Sequence, residues 1–294
     1  MVDQFLNWLS SEKKYSPHTI TSYKNDLAGY GAFLDAQFDI GSIELSGKSQ
    51  IKTWIMELLN SGYSPTTVNR KLVALSTFFN YCIKEEIITS NPVEQVSRPK
   101  KGKRLAQFID ETTTQQVFSA EQFANDFGGL RSRLIMELLY ATGIRVSELI
   151  GITHERLDMG RRELKVLGKG NKERYIPVSE NLLNLVSRYL SIKKEQGFDF
   201  NPDSNLLVTD KGAPLYPMFV SRTVKSVLQQ YSNISGSNPH VLRHTFATHL
   251  LNNGSDITSI KDLMGHASLA STTVYTHNTI DRLKKVHKDS HPRK

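Results

Sequence analysis

Apolar residues recur along most of the chain with the three-and-four spacing of amphipathic helices. Residues 2–12 set Val2, Phe5, Leu6 and Leu9 on one side. A second helix is predicted from Pro17 to about residue 38, with Ile20, Tyr23, Leu27, Tyr30 and Leu34 inward, and a third over roughly 48–60. A fourth runs from Pro65 to about residue 85 and buries Val68, Leu72, Leu75, Phe78, Phe79 and Cys82. Two of these helices open alike, at Tyr15-Ser16-Pro17-His18-Thr19 and Tyr63-Ser64-Pro65-Thr66-Thr67. In each, serine suits the N-cap and proline the first helical position. The two starts are 48 residues apart and read as one capping solution used twice, in preference to a duplicated hairpin.

Asn91-Pro92 stops this helical run. Residues 97–104, Ser-Arg-Pro-Lys-Lys-Gly-Lys-Arg, form a basic stretch with proline and glycine. Such a stretch reads as a linker. The pattern therefore divides the chain into a helical domain over 1–96, a basic linker over 97–112 and a second domain over 113–294. The second domain opens with a strongly apolar helix over 130–141, then Ala141-Thr-Gly143-Ile-Arg145-Val-Ser147-Glu148-Leu149. Gly143 permits a sharp turn. Ser147 and Glu148 favour a new helix start, which holds Arg145 beside a helix N-terminus, where anions are attracted. Residues 163–177 alternate as a β-hairpin whose tip, Gly168-Lys169-Gly170-Asn171-Lys172, projects Lys169. The tip lacks Walker spacing, and a lone lysine there reads first as a solvated turn residue. Helices follow at about 179–195 and 217–231, joined by a short apolar strand near 206–208. Further helices are predicted from about 238, over 257–264, 268–274 and 279–287, with Gly254 and Gly265 as C-terminal stops.

Composition narrows the class. No run of 18 apolar residues exists, and Met1-Val-Asp-Gln does not open a signal peptide, so no membrane association is expected. Cys82 is the sole cysteine, which excludes disulfides and thiolate zinc sites and favours the cytoplasm. The net charge of +8 and a pI near 9.4 favour a polyanionic partner. Residues 1–100 carry ten basic and ten acidic side chains, so the whole excess lies beyond them. If the first domain binds nucleic acid, one face does so. Lys13, Lys14, His18, Thr19 and Lys24, with Asn69, Arg70 and Lys71 on the exposed side of the fourth helix, are its candidate phosphate contacts. Lys101, Lys103 and Arg104 extend them into the linker. A solvated charged surface is the plainer reading of each.

The least average feature lies near the end, where seven of the nine histidines fall from His240 onward. His240 and Arg243 stand i, i+3 and share a helix face. His266 follows in Leu-Met-Gly-His and Tyr275 in Val-Tyr-Thr-His. No acid is apparent among them. Three chemistries compete. A helical core with incidental polar residues is one. A metal site is the second, since His240 and His244 stand i, i+4 as in zinc helices. But the glutamate of H-E-x-x-H is missing, and Arg243 between them repels a cation. The third is an oxyanion site, in which arginines fork onto phosphate oxygens, imidazoles donate or shuttle protons, and the tyrosine becomes a nucleophile.

Arg145, Lys169, His240, Arg243, His266 and Tyr275, in that order and within those motifs, resemble the catalytic set of the tyrosine recombinases, most closely the Xer type of bacteria. The resemblance runs from Ser16-Pro17 to the tail. It implies a mainly α, two-domain protein: an N-terminal four-helix, SAM-like core-binding domain and a C-terminal mixed α+β catalytic domain of the DNA breaking-rejoining type, which together clamp duplex DNA. It further implies site-specific recombination through a 3′-phosphotyrosine on Tyr275 and a Holliday junction. His240 would accept the phenolic proton, Lys169 would act as general acid, and Arg145, Arg243 and His266 would stabilise the phosphorane. No metal, nucleotide or other cofactor is implied. The implied partners are a double-stranded recombination site and three further protomers, of this chain or of a related recombinase, with a septal DNA translocase as activator. The Xer type implies chromosome-dimer resolution at cell division. Integration or excision of a mobile element, a type IB topoisomerase-like activity and a non-cleaving architectural DNA-binding protein stay open at this point.

Overall fold

The computed structural model describes residues 1–100, 108–168, 173–231, 237–265, 290 and 292. Lys101, Lys103, Arg104, Lys169, His266 and Tyr275 lie outside the described residues, as do the helices expected over 268–274 and 279–287. The chain divides into two compact units, Met1–Arg104 and Leu105–Lys294. Among the described residues no helix is long and apolar enough to cross a membrane.

In the first unit four helices run α1 Val2–Ser11, α2 Pro17–Phe38, α3 Lys48–Asn60 and α4 Pro65–Lys84. The twin helix starts are twin caps. Ser16 and Ser64 adopt nearly the same extended backbone, and each side chain accepts from the amide of the threonine three residues on, at 3.2 Å. Phe5, Leu9, Leu27, Tyr30, Leu34, Ile51, Leu72, Phe78 and Phe79 meet in one core. Cys82 is fully buried there, and burial pushes its thiol up to about 11.

A carboxylate sits at the edge of this core. Asp26 on α2 is 3% exposed and receives both arms of the Arg70 guanidinium and the Lys71 ammonium from α4. Lys71 also lies 5.9 Å over Trp54 and 5.7 Å over Tyr63, which covers most of it. The expectation that Asn69 and Lys71 face solvent beside Arg70 is therefore corrected. Asn69 is 7% exposed, and its amide donates to the carbonyls of Pro65 and Pro99, at 2.8 Å each. The cause is the returning chain. Val93 and Val96 join the core and bring residues 98–99 back across α4.

The second unit is built round a helix buried on almost every side. Its elements are α5 Glu111–Val117, α6 Phe127–Thr142, α7 Val146–Ile150, β1 Leu157–Asp158, β2 Glu163–Leu167, β3 Glu173–Pro177, α8 Glu180–Glu195, α9 Pro217–Leu228, α10 Pro239–Asn252 and α11 Ile257–Met264. Leu134, Ile135, Met136, Leu138, Leu139 and Tyr140 of α6 are all fully buried, and even Arg131 and Glu137 on that helix are covered, as in a central element. The strands form an antiparallel sheet in the order β1-β2-β3, with Val166 opposite Arg174 and Leu164 opposite Ile176.

Besides β1, which adds a third strand to the expected hairpin, two elements differ from expectation. The strand expected at 206–208 is absent; Asn205 and Val208 make isolated bridges to Thr153 and Pro214. Side chains and a single backbone bond, from the Leu206 amide to the Ile152 carbonyl, satisfy that backbone in place of a ladder. Lys193 donates to the carbonyls of Asn205 and Leu206, and the Val208 amide donates to the Tyr189 hydroxyl. Burial of Lys193 lowers its ammonium to about 8, with its Nζ 2.8 Å from His154 Nε2. The second difference is α5, unforeseen in a threonine-rich segment of weak helix formers. Asp110 caps it, and the amide of the preceding, buried Ile109 donates to Thr245 Oγ1 at 3.0 Å. Residues 109–112 thus pack into the second unit rather than forming the end of a free linker.

Both tryptophans, Trp8 and Trp54, lie in the first unit, so their fluorescence reports its unfolding alone. Asp26→Asn should destabilise that unit by about 1–2 kcal/mol, below the cost of breaking a fully buried pair because Arg70 is half exposed. Urea denaturation followed by tryptophan emission checks this, and an unmoved midpoint would refute it.

Candidate active site

The site begins where α6 stops. Gly143 takes φ +60°, and a Cβ there would run into the Phe246 ring. Glycine is thus required twice, for the left-handed backbone and for the close approach of α10. Because Phe246 presses on Gly143, Arg243 one turn earlier on α10 meets the same loop. Its Nη1 donates to the Gly143 carbonyl. Two residues past the glycine, Arg145 is the N-cap of α7, as the spacing predicted.

The other wall is the end of α11. Gly265 caps that helix at φ +63°, and the last carbonyls face inward onto arginines. Arg174 Nε donates to Leu263 O at 3.0 Å, Arg243 Nη2 to Met264 O at 2.7 Å and Arg145 Nη2 to Gly265 O at 3.2 Å. Three consecutive carbonyls thus take three guanidinium groups, from β3, α10 and the α6–α7 turn. A helix C-terminus carries partial negative charge and unpaired acceptors, so cations collect there.

Glu148 binds the cations together from behind. Oε1 accepts from Arg145 Nη1 at 2.9 Å and Arg174 Nη1 at 2.8 Å; Oε2 accepts from the Arg145 amide at 2.8 Å and Arg174 Nη2 at 2.9 Å. Burial alone would push this carboxyl up. The Arg174 fork and the Arg145 amide outweigh that and hold it below the usual carboxylate range. Arg243 is 7% exposed, and burial, with Arg145 beside it, lowers its guanidinium to about 10, so it stays charged at neutral pH.

The structure thus brings Arg145 and Arg243 to one place. His240 lies in the first turn of α10, exposed, with its amide donating to Asn238 Oδ1 at 2.9 Å. The i, i+3 spacing sets it on the Arg243 face. In the sequence Lys169 stands five residues before Arg174, and His266 directly follows Gly265. The expected absence of an acid is corrected by Glu148, and Arg174 was missed altogether. A signal existed for it: period-2 alternation puts Arg174 on the face of buried Ile176, an unusual place for arginine unless it has a partner. Among the described residues no group of three or more histidine, cysteine or carboxylate side chains could hold a metal ion.

In the first unit, Lys13, Lys14, His18 and Lys24 are exposed, with Lys13 5.1 Å over the Trp8 ring. Thr19 is partly covered and its hydroxyl is 2.8 Å from the Ser16 hydroxyl, as part of the cap. Arg70 is exposed yet charge-paired, and faces an open cleft of about 650 Å³ that Thr66, Val73, Arg98 and Pro99 also line.

With this geometry in view, comparison with known proteins gives a consistent picture. The phage integrase family matches residues 107–282, and the phage integrase N-terminal SAM-like domain matches residues 2–86. The tyrosine recombinase XerC of Listeria welshimeri is 38% identical over 291 residues, 99% of this chain and 97% of its own length. That of Staphylococcus haemolyticus is 38% identical over 290 residues, 98% and 96% of the two chains. Among solved structures, the XerH site-specific recombinase bound to a palindromic difH substrate superposes with a TM-score of 0.72 at 19% identity, covering 97% of this chain and 83% of the other.

The Glu148 network makes a prediction about acid. A carboxyl held below its ordinary value of 4.5 stabilises fully above that pH, and the contribution is lost as pH falls through the lower native value. Glu148→Gln should cost about 3–5 kcal/mol at pH 7, since it leaves buried Arg174 unpaired. Urea unfolding followed by circular dichroism should show the gap between the two proteins closing in acid. A gap that stays constant with pH would contradict the ion-pair account.

Proposed function

The chain belongs to the phage integrase family of tyrosine recombinases, and from that premise we propose that Tyr275 cuts and rejoins one strand of a specific duplex DNA site. Its phenolic oxygen attacks the scissile phosphorus; the P–O5′ bond breaks and a 3′-phosphotyrosine forms. A phenol with an ordinary pKa of about 10 needs its proton removed at neutral pH, and His240 takes it. Lys169 protonates the departing 5′-oxygen. Arg145 and Arg243 fork onto the non-bridging oxygens, and His266 adds a donor, so that charge in the pentavalent state meets fixed cations. The step conserves the phosphodiester bond energy in the covalent link. The 5′-hydroxyl of a partner duplex then attacks the phosphotyrosine, releases the phenol and leaves a recombinant strand.

One observation supports this above the others: Arg145 and Arg243, 98 residues apart in sequence, hold adjacent carbonyls immediately before His266. Fixed guanidinium groups supply the charge that divalent metals supply in other phosphoryl-transfer sites. Two rounds of exchange through a Holliday junction call for four protomers on two duplexes, of this chain alone or with a related recombinase. The near full-length likeness to XerC proteins supports resolution of chromosome dimers at cell division as the biological role, in the cytoplasm, with a septal DNA translocase as the activating partner. The exposed Lys13, Lys14, His18 and Lys24, with Lys101, Lys103 and Arg104 of the basic stretch, are the proposed phosphate contacts outside the catalytic unit.

The test is covalent capture. Crosslink mapping of protein-bound 3′ ends across the genome of the source cells should give one dominant chromosomal site. A nicked duplex of that site should then yield an adduct stable on denaturing gels. Tyr275→Phe should abolish the adduct and leave duplex binding intact. Arg145→Ala and Arg243→Ala should each slow adduct formation about 10²–10³-fold. No adduct from the wild type on any mapped fragment would refute the proposal, and sites scattered at mobile-element ends would replace chromosome resolution by integration.

A further inference from the structure

We propose that Arg174 is a positioning residue of the strand-transfer site: a third arginine that touches no substrate and sets the geometry of Arg145, Arg243 and the hairpin that carries Lys169. This rests on the recombinase reading above and deepens it.

Arg174 has no face left for DNA. It is 4% exposed, and its Nε and both arms of its fork are committed to Leu263 O and to the two oxygens of Glu148. Those commitments join three separate stretches. Through Glu148 it reaches the amide and the guanidinium of Arg145. Through Leu263 it holds the end of α11, whose next two carbonyls take Arg243 and Arg145. Through its own backbone, paired in the sheet with Val166, it fixes the base of the hairpin five residues from Lys169. The guanidinium is also the surface on which the α11 cap rests, since a Cβ at Gly265 would stand 3.0 Å from its Nη1. His266 is the next residue in the sequence after that glycine.

The arrangement also resolves an electrostatic conflict. Arg145 and Arg243 must stand together to meet one phosphate, yet each disfavours the other's charge. Arg174 alone would worsen this. By fixing Glu148 through both oxygens, it anchors one negative charge directly behind Arg145 and leaves the partly exposed edge of that side chain to the substrate. Lysine has the charge but neither the planar fork nor a third donor at the Nε position, so it cannot hold Glu148 and Leu263 in this geometry.

The experiment compares wild type, Arg174→Lys, Glu148→Gln and the double variant on the nicked duplex used for covalent capture. Three quantities are read: the single-turnover rate of adduct formation at saturating protein, the affinity for the duplex and the melting temperature. Arg174→Lys should slow adduct formation about 10²-fold, the scale of an ångström of misplacement, with duplex affinity unchanged. Glu148→Gln should do the same, and the double variant should be little slower than the worse single one, because both act through one network. Wild-type rate in Arg174→Lys would overturn the proposal. So would rate, affinity and melting temperature falling in proportion, which marks a merely structural residue, or fully additive effects in the double variant. Should Arg174→Lys fail to fold at the assay temperature, Arg174→Gln read in the cold carries the same test, and a wild-type rate there would overturn the proposal. A wild type that forms no adduct would overturn the recombinase reading itself, and this proposal with it.

Discussion

The last carbonyls of a short helix have no partners within that helix, and in the second unit Leu263, Met264 and Gly265 find theirs on Arg174, Arg243 and Arg145. Three like charges gather where the helix offers only about half a negative charge. Glu148 adds one full negative charge, and its burial is tolerated because four donors surround its two oxygens. Each part needs the others: the arginines would repel without the carboxylate, and the carboxylate would be a buried unpaired charge without the arginines. The fold serves this knot. Gly143 lets α10 approach closely enough for Arg243 to arrive, the β-hairpin brings Arg174, and Gly265 ends α11 in a left-handed turn.

Much of this was legible because local rules and tertiary needs agree. Ser16 and Ser64 cap as serine before proline does, Gly143 and Gly265 take the left-handed backbone that only glycine adopts freely, and the hairpin pairs where alternation placed it. Arg145 and Arg243 were recognisable from their motifs. What local patterns hide is a pairing across long gaps. Glu148 looked like an ordinary first-turn helix acid, and nothing in its surroundings announced Arg174, 26 residues later. Asn69 failed for a similar reason, because the segment that covers it returns from Pro99. At 206–208 the apolar residues suggested a strand, but the Leu206 carbonyl is taken by Lys193 and the Val208 amide by Tyr189, two groups a ladder would use.

The first unit handles charge differently. It carries no net excess over residues 1–100, and one of its acids, Asp26, is buried to fasten α2 to α4 through Arg70 and Lys71. Lys71, which looked available for a polyanion, is therefore an internal fastener, and Arg70, though half exposed, is held by the same carboxylate. The exposed positive groups shift toward the α1–α2 corner, where Lys13, Lys14, His18 and Lys24 stand. Net charge says little about such a surface; the pairing decides which cations face outward.

The seclusion of Cys82 has a practical consequence. A lone thiol pushed up to about 11 within a helical core stays protonated at neutral pH, and it is the thiolate that attacks thiol reagents. A cysteine engineered at any exposed position would be the sole reactive sulfur of the folded chain. Fluorophores, spin labels or DNA crosslinkers can therefore be attached at a single chosen point on either unit, with the native residue left in place.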